Sequence, residues 1–226
     1  METEPNQDSD DERILQVARR LCEQFNLEEL TPERLLWQEQ YSRSRERDRY
    51  GNPIGPSVNP HYPTFDNRSL ILSPVLRGRL QADEWRPLLA SSAIFYGQFG
   101  SKASRRSAVI FAPVLALGLL LLIAVFFTSP LFHGILPVLT LGAILIITIS
   151  VLAYAAVLRV RKFRLLADRK AADALGTVYF LKVLRKIQSL RQSDKLQDPM
   201  SEWGWVGYGD APSIEKRIRN LENTST

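Results

Sequence analysis

Few side chains in this sequence are of the kinds that perform nucleophilic, acid–base or metal chemistry. His61 and His133 are the only histidines, and Cys22 is the only cysteine. A cysteine-rich zinc module and an intrachain disulfide framework are therefore excluded. Ser91 and Ser92 could supply a nucleophile, but a serine nucleophile needs a histidine or lysine base, and no motif places one beside them. A hydrolase with non-zinc chemistry is therefore only an alternative hypothesis.

The charge distribution favours a membrane surface over nucleic acid as the anionic partner. The 226 residues carry 29 Lys and Arg against 24 Asp and Glu, which gives a formal net charge of +5. The first dozen residues, METEPNQDSDDE, are acidic, whereas basic residues gather as KASRR at 102–106 and RVRKFR at 159–164. No DNA- or RNA-binding signature accompanies these clusters, and they flank the most apolar part of the sequence.

The stretch between Arg106 and Arg159 contains no Asp, Glu, Lys or Arg. Because about 20 apolar residues cross a bilayer as a helix, this stretch predicts two transmembrane helices, at about 108–127 and 135–158. The intervening TSPLFHG contains turn-forming residues, and the cation clusters at both outer ends predict that both termini are cytoplasmic. The expected location is therefore integral and multi-pass in a membrane, with the lipid bilayer as one partner.

The segments that flank this hairpin carry helical and strand patterns. Apolar residues at helical spacing predict amphipathic helices over 11–26 and 177–190. The segment SLILSPVL at 69–76 predicts a short apolar strand, whereas ERLLWQEQYS at 33–42 suits either a strand or a helix. The predicted fold class is therefore α+β and mainly helical.

These segments predict a domain order. We expect a disordered acidic tail at 1–10 and a cytosolic domain in two parts, 11–106 and 159–226. The transmembrane hairpin, 107–158, is inserted between those two parts.

Four phrases around the hairpin resemble the HtpX and CAAX prenyl protease family of membrane zinc metallopeptidases. The strand LILSPVL (70–76) precedes LQADEWRPLLASSAIF (80–95), which is similar to the family's L-x-x-x-E-L-x-x-V-L-A-H-E-x-x-H. After the hairpin, FRLLADRKA (163–171) resembles R-E-x-x-A-D-x-x-A, and APSIEKRIRNL (211–221) resembles H-P-x-x-x-x-R-I-x-x-L. The resemblance implies a metalloprotease-like domain that contains a membrane hairpin.

The catalytic residues of that family are absent from the matching positions. By this resemblance the two histidine ligands fall on Ser91 and Phe95, the general base on Ser92, and the glutamate ligand on Arg164. A guanidinium cannot coordinate zinc, and a phenyl ring has no donor atom. Asp168 alone keeps its place, which is that of an aspartate that orients a metal-binding histidine. The resemblance therefore implies a degenerate former site that binds no zinc and needs no cofactor.

The resemblance also implies a geometry. The helix after the hairpin should pack beside the helix before it, so that Arg164 and Asp168 lie near Ser91 and Phe95. Arg164 could also pair with Asp168 on the next helical turn, although this order is the weaker orientation for a helical ion pair. With catalysis lost, a Ser91→Ala exchange is expected to change little beyond packing.

The leading functional hypothesis is a membrane-anchored pseudoprotease, not an enzyme, that acts by binding. It would be an accessory or structural subunit of a membrane protein complex, with another membrane protein as partner and without nucleic acid. Trp203, Trp205 and Tyr208 could contact that partner, because aromatic side chains are enriched at interfaces, or could pack within their own loop. A membrane-surface or lipid-binding protein is an alternative, alongside the non-zinc hydrolase.

Overall fold

The computed structural model of the protein describes residues 5–38, 58–100, 118, 135–193 and 211–223. The chain divides into two compact units. The first unit comprises Met1–Gly100 and Arg161–Thr226, and the second comprises Ser101–Val160. The candidate residues before and after the apolar stretch therefore belong to one unit, the first.

An amphipathic helix opens the first unit. α1 spans Pro5–Gln24, so it begins within the segment 1–10 that is expected to be a disordered tail. Burial, with a smaller effect from the charge of Glu23, raises the pKa of the Cys22 thiol to about 11. Cys22 is therefore a core thiol and not a reactive one. The apolar stripe predicted from the sequence is confirmed by the buried residues Ile14, Leu15, Ala18, Leu21 and Cys22.

Three short strands form a small sheet. β1 spans Arg34–Trp37, β2 spans Thr64–Asp66 and β3 spans Ser69–Leu72. β3 lies in the middle, parallel to β1 and antiparallel to β2. All four residues of β3 are buried, as is typical of a central strand, which confirms the strand predicted within 69–76. β1 decides the open choice at 33–42 in favour of a strand.

The turn between β2 and β3 is set by local sequence. Asn67 and Arg68 both have positive φ angles, 43° and 58°. Two such residues are typical of a type I′ hairpin turn, whose twist matches that of the flanking strands. The turn brings Asp66 opposite Ser69, so the register of the central strand is fixed locally.

α2 spans Arg86–Ile94 and is buried at every position after the first. A 3₁₀ turn over Ala82–Trp85 precedes it, and this turn begins with a capping box between Gln81 and Glu84 that satisfies exposed backbone amides. A π-helix over Phe95–Gly100 follows it. Because α2 is enclosed, its polar side chains must find partners inside the protein.

Three further helices complete the described residues. α3 spans Ile135–Leu175, α4 spans Thr177–Ser193 and α5 spans Ile214–Glu222. Gly176 separates α3 from α4 with a φ of 96°, a conformation that suits glycine at a helix end. The hydroxyl of Ser213 caps α5 by accepting a backbone hydrogen bond. The predicted apolar stripe of α4 comprised Phe180, Leu181, Leu184, Ile187 and Leu190. Phe180, Leu184 and Ile187 are buried as predicted, Leu181 and Leu190 are half-buried, and Val183 is buried in addition.

Burial changes along α3. In the second unit this helix exposes large apolar side chains, with Ile146 66%, Val151 61% and Tyr154 63% accessible. In the first unit the same helix buries two charged side chains, Arg164 at 8% accessible and Asp168 at 0%. Residue type alone therefore does not predict which parts of α3 are enclosed.

The predicted membrane hairpin is wrong. Within the part of the chain that the structure describes, no helix is long and apolar enough to cross a membrane. The span expected at 135–158 is the first part of α3, which continues without a break through the charged segment 159–170. The span expected at 108–127 lies outside the described residues, apart from Gly118.

The prediction relied on a count of charges over a stretch that the structure describes only in part. Three predictions are corrected accordingly. They are the fold class with a transmembrane hairpin, the multi-pass membrane location, and the cytoplasmic assignment of both termini. The described residues form a mainly helical structure with a small three-stranded sheet.

Candidate functional site

Polar side chains from four separate segments of the first unit meet around one carboxylate, that of Asp168. The segments are α2, the last part of α3, α5 and the residues just before β2. Ser91 lies 77 positions before Asp168, and Arg217 lies 49 positions after it. The site is therefore assembled by tertiary folding and not by one local motif.

Both carboxylate oxygens of Asp168 accept hydrogen bonds. The Ser91 hydroxyl donates to Oδ1 at 2.5 Å. The Arg217 guanidinium donates from Nη2 to Oδ1 at 2.7 Å and from Nε to Oδ2 at 2.9 Å. All three residues are 0% accessible, and this two-point arginine–carboxylate geometry is the strongest that such a pair can adopt. The carboxylate is therefore fully engaged by protein groups.

Arg217 is also held from its other sides. Its Nη1 donates to the backbone carbonyl of His61 at 3.0 Å, and its guanidinium lies 4.2 Å from the ring centroid of Tyr62 and 5.7 Å from that of Phe180. Burial alone would lower the pKa of Arg217, but the charge of Asp168, the neighbouring Tyr62 and the hydrogen bonds to Asp168 raise it above its ordinary value. The guanidinium therefore stays charged in the interior.

Arg164 lies between two aromatic rings. Its guanidinium carbon is 4.5 Å from the ring centroid of Phe95 and 4.6 Å from that of Tyr62. Because Tyr62 also contacts Arg217, aromatic rings and guanidiniums alternate along the series Phe95, Arg164, Tyr62, Arg217 and Phe180. Rings attract cations through their negative faces, and more strongly where water is excluded. The rings therefore stabilise positive charge at the position where the resembled family has a metal ligand.

Two other polar groups complete the site. The Oγ of Ser92 and the Nδ1 of His61 are buried and make no hydrogen bond within the described residues. Burial, together with the positive charges of Arg217 and Arg191, lowers the pKa of His61 to about 3. His61 is therefore neutral at pH 7 and is a weak base.

The contact between Ser91 and Asp168 shares one feature with hydrolytic sites, a serine hydroxyl beside a carboxylate. In a serine hydrolase, however, a histidine or lysine takes the proton of the hydroxyl. Here the hydroxyl points directly at a carboxylate that already holds Arg217, and the serine is not accessible to solvent. These side chains therefore bind one another, and the serine is not accessible as a nucleophile.

The structure brings together four of the five residues predicted for the former site. Asp168 contacts Ser91 and Arg164 contacts Phe95, which is the proximity that the resemblance implies. Ser92 is buried on the same helix as Ser91. Asp168 forms an ion pair with Arg217, which the spacing within α3 did not suggest. Trp203, Trp205 and Tyr208 lie outside the described residues.

Three members of the site were not predicted from the sequence. Arg217 was within the phrase APSIEKRIRNL, and its position in that phrase was the one available signal. Tyr62 and His61 lie in a segment with no recognisable pattern. The hydrogen bond to Asp168 also gives Ser91 a structural role, against the expectation that its hydroxyl matters little.

Among the residues that the structure describes, no group of three or more His, Cys, Asp or Glu side chains is placed to hold a metal ion. Comparisons with protein-family models, with curated proteins and with solved structures find no match to this chain.

Proposed function

We propose that this protein is a non-catalytic homologue of the HtpX and CAAX prenyl protease family, a pseudoprotease, and that it acts by binding another protein as an accessory or structural subunit of a complex. The observation that supports this proposal is the buried network of Ser91, Asp168 and Arg217. In this network Ser91 and Asp168, which stand at positions that match functional residues of the family, bind each other, and Arg217 binds Asp168.

Peptide hydrolysis by a zinc enzyme needs a metal with an open coordination position and a nearby base for the attacking water. The matching positions here carry two serines, a phenylalanine and an arginine. A guanidinium between two rings repels a metal cation, and an enclosed ion pair leaves no room for water and a peptide bond. The site is therefore suited to hold three helices and one loop in a fixed arrangement.

A non-zinc hydrolase is the second candidate, because the Ser91 hydroxyl lies 2.5 Å from a carboxylate oxygen. A fluorophosphonate probe tests it directly, since such probes label activated serines. Labelling that disappears in a Ser91→Ala variant would favour this candidate over the pseudoprotease. The absence of accessible surface on Ser91 predicts no labelling.

The experiment that tests the proposal compares the native chain with a variant in which the family's residues are restored. The variant carries Ser91→His, Ser92→Glu, Phe95→His and Arg164→Glu, and its matched control replaces Ser92→Glu by Ser92→Gln, which lacks a base. The native chain should contain no stoichiometric zinc and should not cleave unfolded protein. A folded restored variant should gain chelator-sensitive zinc, and its control should bind zinc without cleaving. The proposal would be overturned if the native chain held zinc and a chelator removed both the zinc and a proteolytic activity.

The binding role needs its own test. The tagged full chain, purified from its native cells in mild detergent, should carry a stoichiometric companion protein. Recovery of the chain alone at its native abundance would contradict a role as a complex subunit.

A further inference from the structure

A cleft lies between α1 and the 3₁₀ turn over Ala82–Trp85, outside the network around Asp168. Its volume is about 610 Å³, and sites for small ligands have volumes of roughly 300–1,000 Å³. The polar part of its lining consists of Asp10, Arg13, Gln16 and Arg20 from α1, and of Gln81 and Asp83 from the start of the turn. The cleft is therefore large enough for a small polar ligand.

Contacts with the rest of the first unit hold both walls of the cleft in place. α1 is anchored by its buried apolar stripe. On the other wall, the Tyr179 hydroxyl donates to the backbone carbonyl of Asp83 at 2.6 Å, and Lys186 pairs with Glu84 at 2.6 Å. The position of Asp83 is therefore set by contacts with α4 and needs no ligand.

The cleft contains charged and polar side chains that no other group of the described residues engages. Arg13 and Asp10 form a long pair at 3.8 Å, and their side chains are 71% and 56% accessible, so this pair is weak. The side chains of Gln16, Arg20 and Asp83 make no ion pair and no hydrogen bond within the described ranges. The cleft therefore offers one cation, one carboxylate and one amide to another molecule.

The length of the α1 wall sets the length of the ligand. Arg13 and Arg20 are seven positions apart on α1, which corresponds to about 10 Å at a rise of about 1.5 Å per residue. An extended chain of three residues has about the same length, at roughly 3.3–3.6 Å per residue. Its two free ends carry a carboxylate and an ammonium group, and its peptide groups match the Gln16 amide, which both donates and accepts hydrogen bonds. The matching ligand is therefore a zwitterion of about three residues.

We propose that this cleft binds a free peptide of about three residues by its two charged ends. The terminal carboxylate lies at Arg20, whose guanidinium can donate to both carboxylate oxygens at once. The terminal ammonium group lies at Asp83, and the peptide groups between the ends contact Gln16. This inference does not depend on the proposed pseudoprotease function, because the cleft and the network around Asp168 share no residue.

Isothermal titration of the full chain with three peptides tests the proposal. Trialanine with free ends should bind. N-acetyl-trialanine lacks the ammonium group and trialanine amide lacks the carboxylate, so each should bind at least about tenfold more weakly. The variant Arg20→Gln should remove the difference between trialanine and its amide. The variant Asp83→Asn should remove the difference between trialanine and its N-acetyl form.

Two control variants make the same changes of charge outside the cleft. They are Arg219→Gln on α5 and Asp173→Asn on α3, and all four exchanged side chains are exposed, so each variant should fold like the native chain. Both controls should bind trialanine like the native chain. The proposal would be overturned by no binding of trialanine up to about 10 mM, by equal binding of the three peptides, or by control variants that weaken binding as much as Arg20→Gln does.

Discussion

Two of the arginine–carboxylate pairs described in the first unit have nearly the same length but different surroundings. Arg217 and Asp168 are 2.7 Å apart with both side chains 0% accessible, whereas Arg185 and Glu222 are 2.8 Å apart with side chains 62% and 42% accessible. An exposed pair contributes about 0–1 kcal/mol, because water and salt screen it. Breaking a buried pair by removing one partner costs about 3–5 kcal/mol, because the remaining charge stays buried and unpaired.

The comparison shows what a charge needs in the interior. Asp168 accepts from Ser91 as well as Arg217, and Arg217 also donates to the His61 carbonyl and lies over Tyr62. The surface pair needs no such support, since water supplies the remaining hydrogen bonds. The network at Asp168 is therefore a unit, and its members should depend on one another.

The largest expected effect is that of Arg217→Met. It leaves the Asp168 carboxylate buried without its cation, so the free energy of unfolding should fall by about 3–5 kcal/mol. The matched exchange at the surface, Arg185→Met, should change it by less than about 1 kcal/mol. Urea unfolding of the two full-length variants measures both. Equal effects would show that burial does not distinguish the two pairs.

A smaller effect is expected for Ser91→Ala. It removes a hydrogen bond to a charged acceptor and should lower the free energy of unfolding by about 1.5–3 kcal/mol. The neighbouring Ser92→Ala is the control, because the Ser92 hydroxyl is buried without a hydrogen-bond partner in the described residues. That control should be neutral or stabilising in the same urea experiment. If both serines behave alike, the contact between Ser91 and Asp168 contributes nothing.

The smallest expected effect concerns His61 and pH. The pKa of His61 is about 3 in the folded protein against an ordinary value of 6.5, so the unfolded chain binds the proton first. Stability is therefore complete above pH 6.5 and falls as the pH decreases towards 3, by about 1 kcal/mol at pH 5.5. Unfolding free energies at pH 7 and 5.5 should differ more in the native chain than in His61→Gln. The same difference in both would assign the pH dependence to other groups.

Local patterns allowed part of the fold to be predicted. The stripe in α1, the stripe in α4 and the buried strand β3 follow from apolar spacing, because a periodic apolar face needs a core. The resemblance led to the expectation that Ser91 and Asp168 lie close together, and the two side chains form a hydrogen bond. The pairing of Asp168 with Arg217 was not predicted, because Arg217 belongs to a helix of mostly charged composition, in which the sequence does not distinguish the buried cation from the exposed ones.

The membrane prediction failed for a different reason. It rested on the absence of charged residues alone, and it did not predict that the helix beginning at Ile135 continues through the charged segment to Leu175. Neither a proline nor a glycine lies between Gly142 and Gly176, and without such a residue the helical periodicity does not show where the helix ends. Arg164 and Asp168 are buried because their partners come from α2, α5 and the residues before β2, which the pattern within α3 does not reveal.

A double-mutant cycle between Asp168 and Arg217 tests most directly the central claim that the side chains around Asp168 form an interdependent structural network. The variants are Asp168→Asn, Arg217→Met and their combination, with the free energy of unfolding of each full-length chain measured in urea. The claim predicts a coupling energy of about 3 kcal/mol, with the double variant more stable than the sum of the single losses implies. A coupling energy below about 1 kcal/mol, the range of an exposed pair, would contradict it.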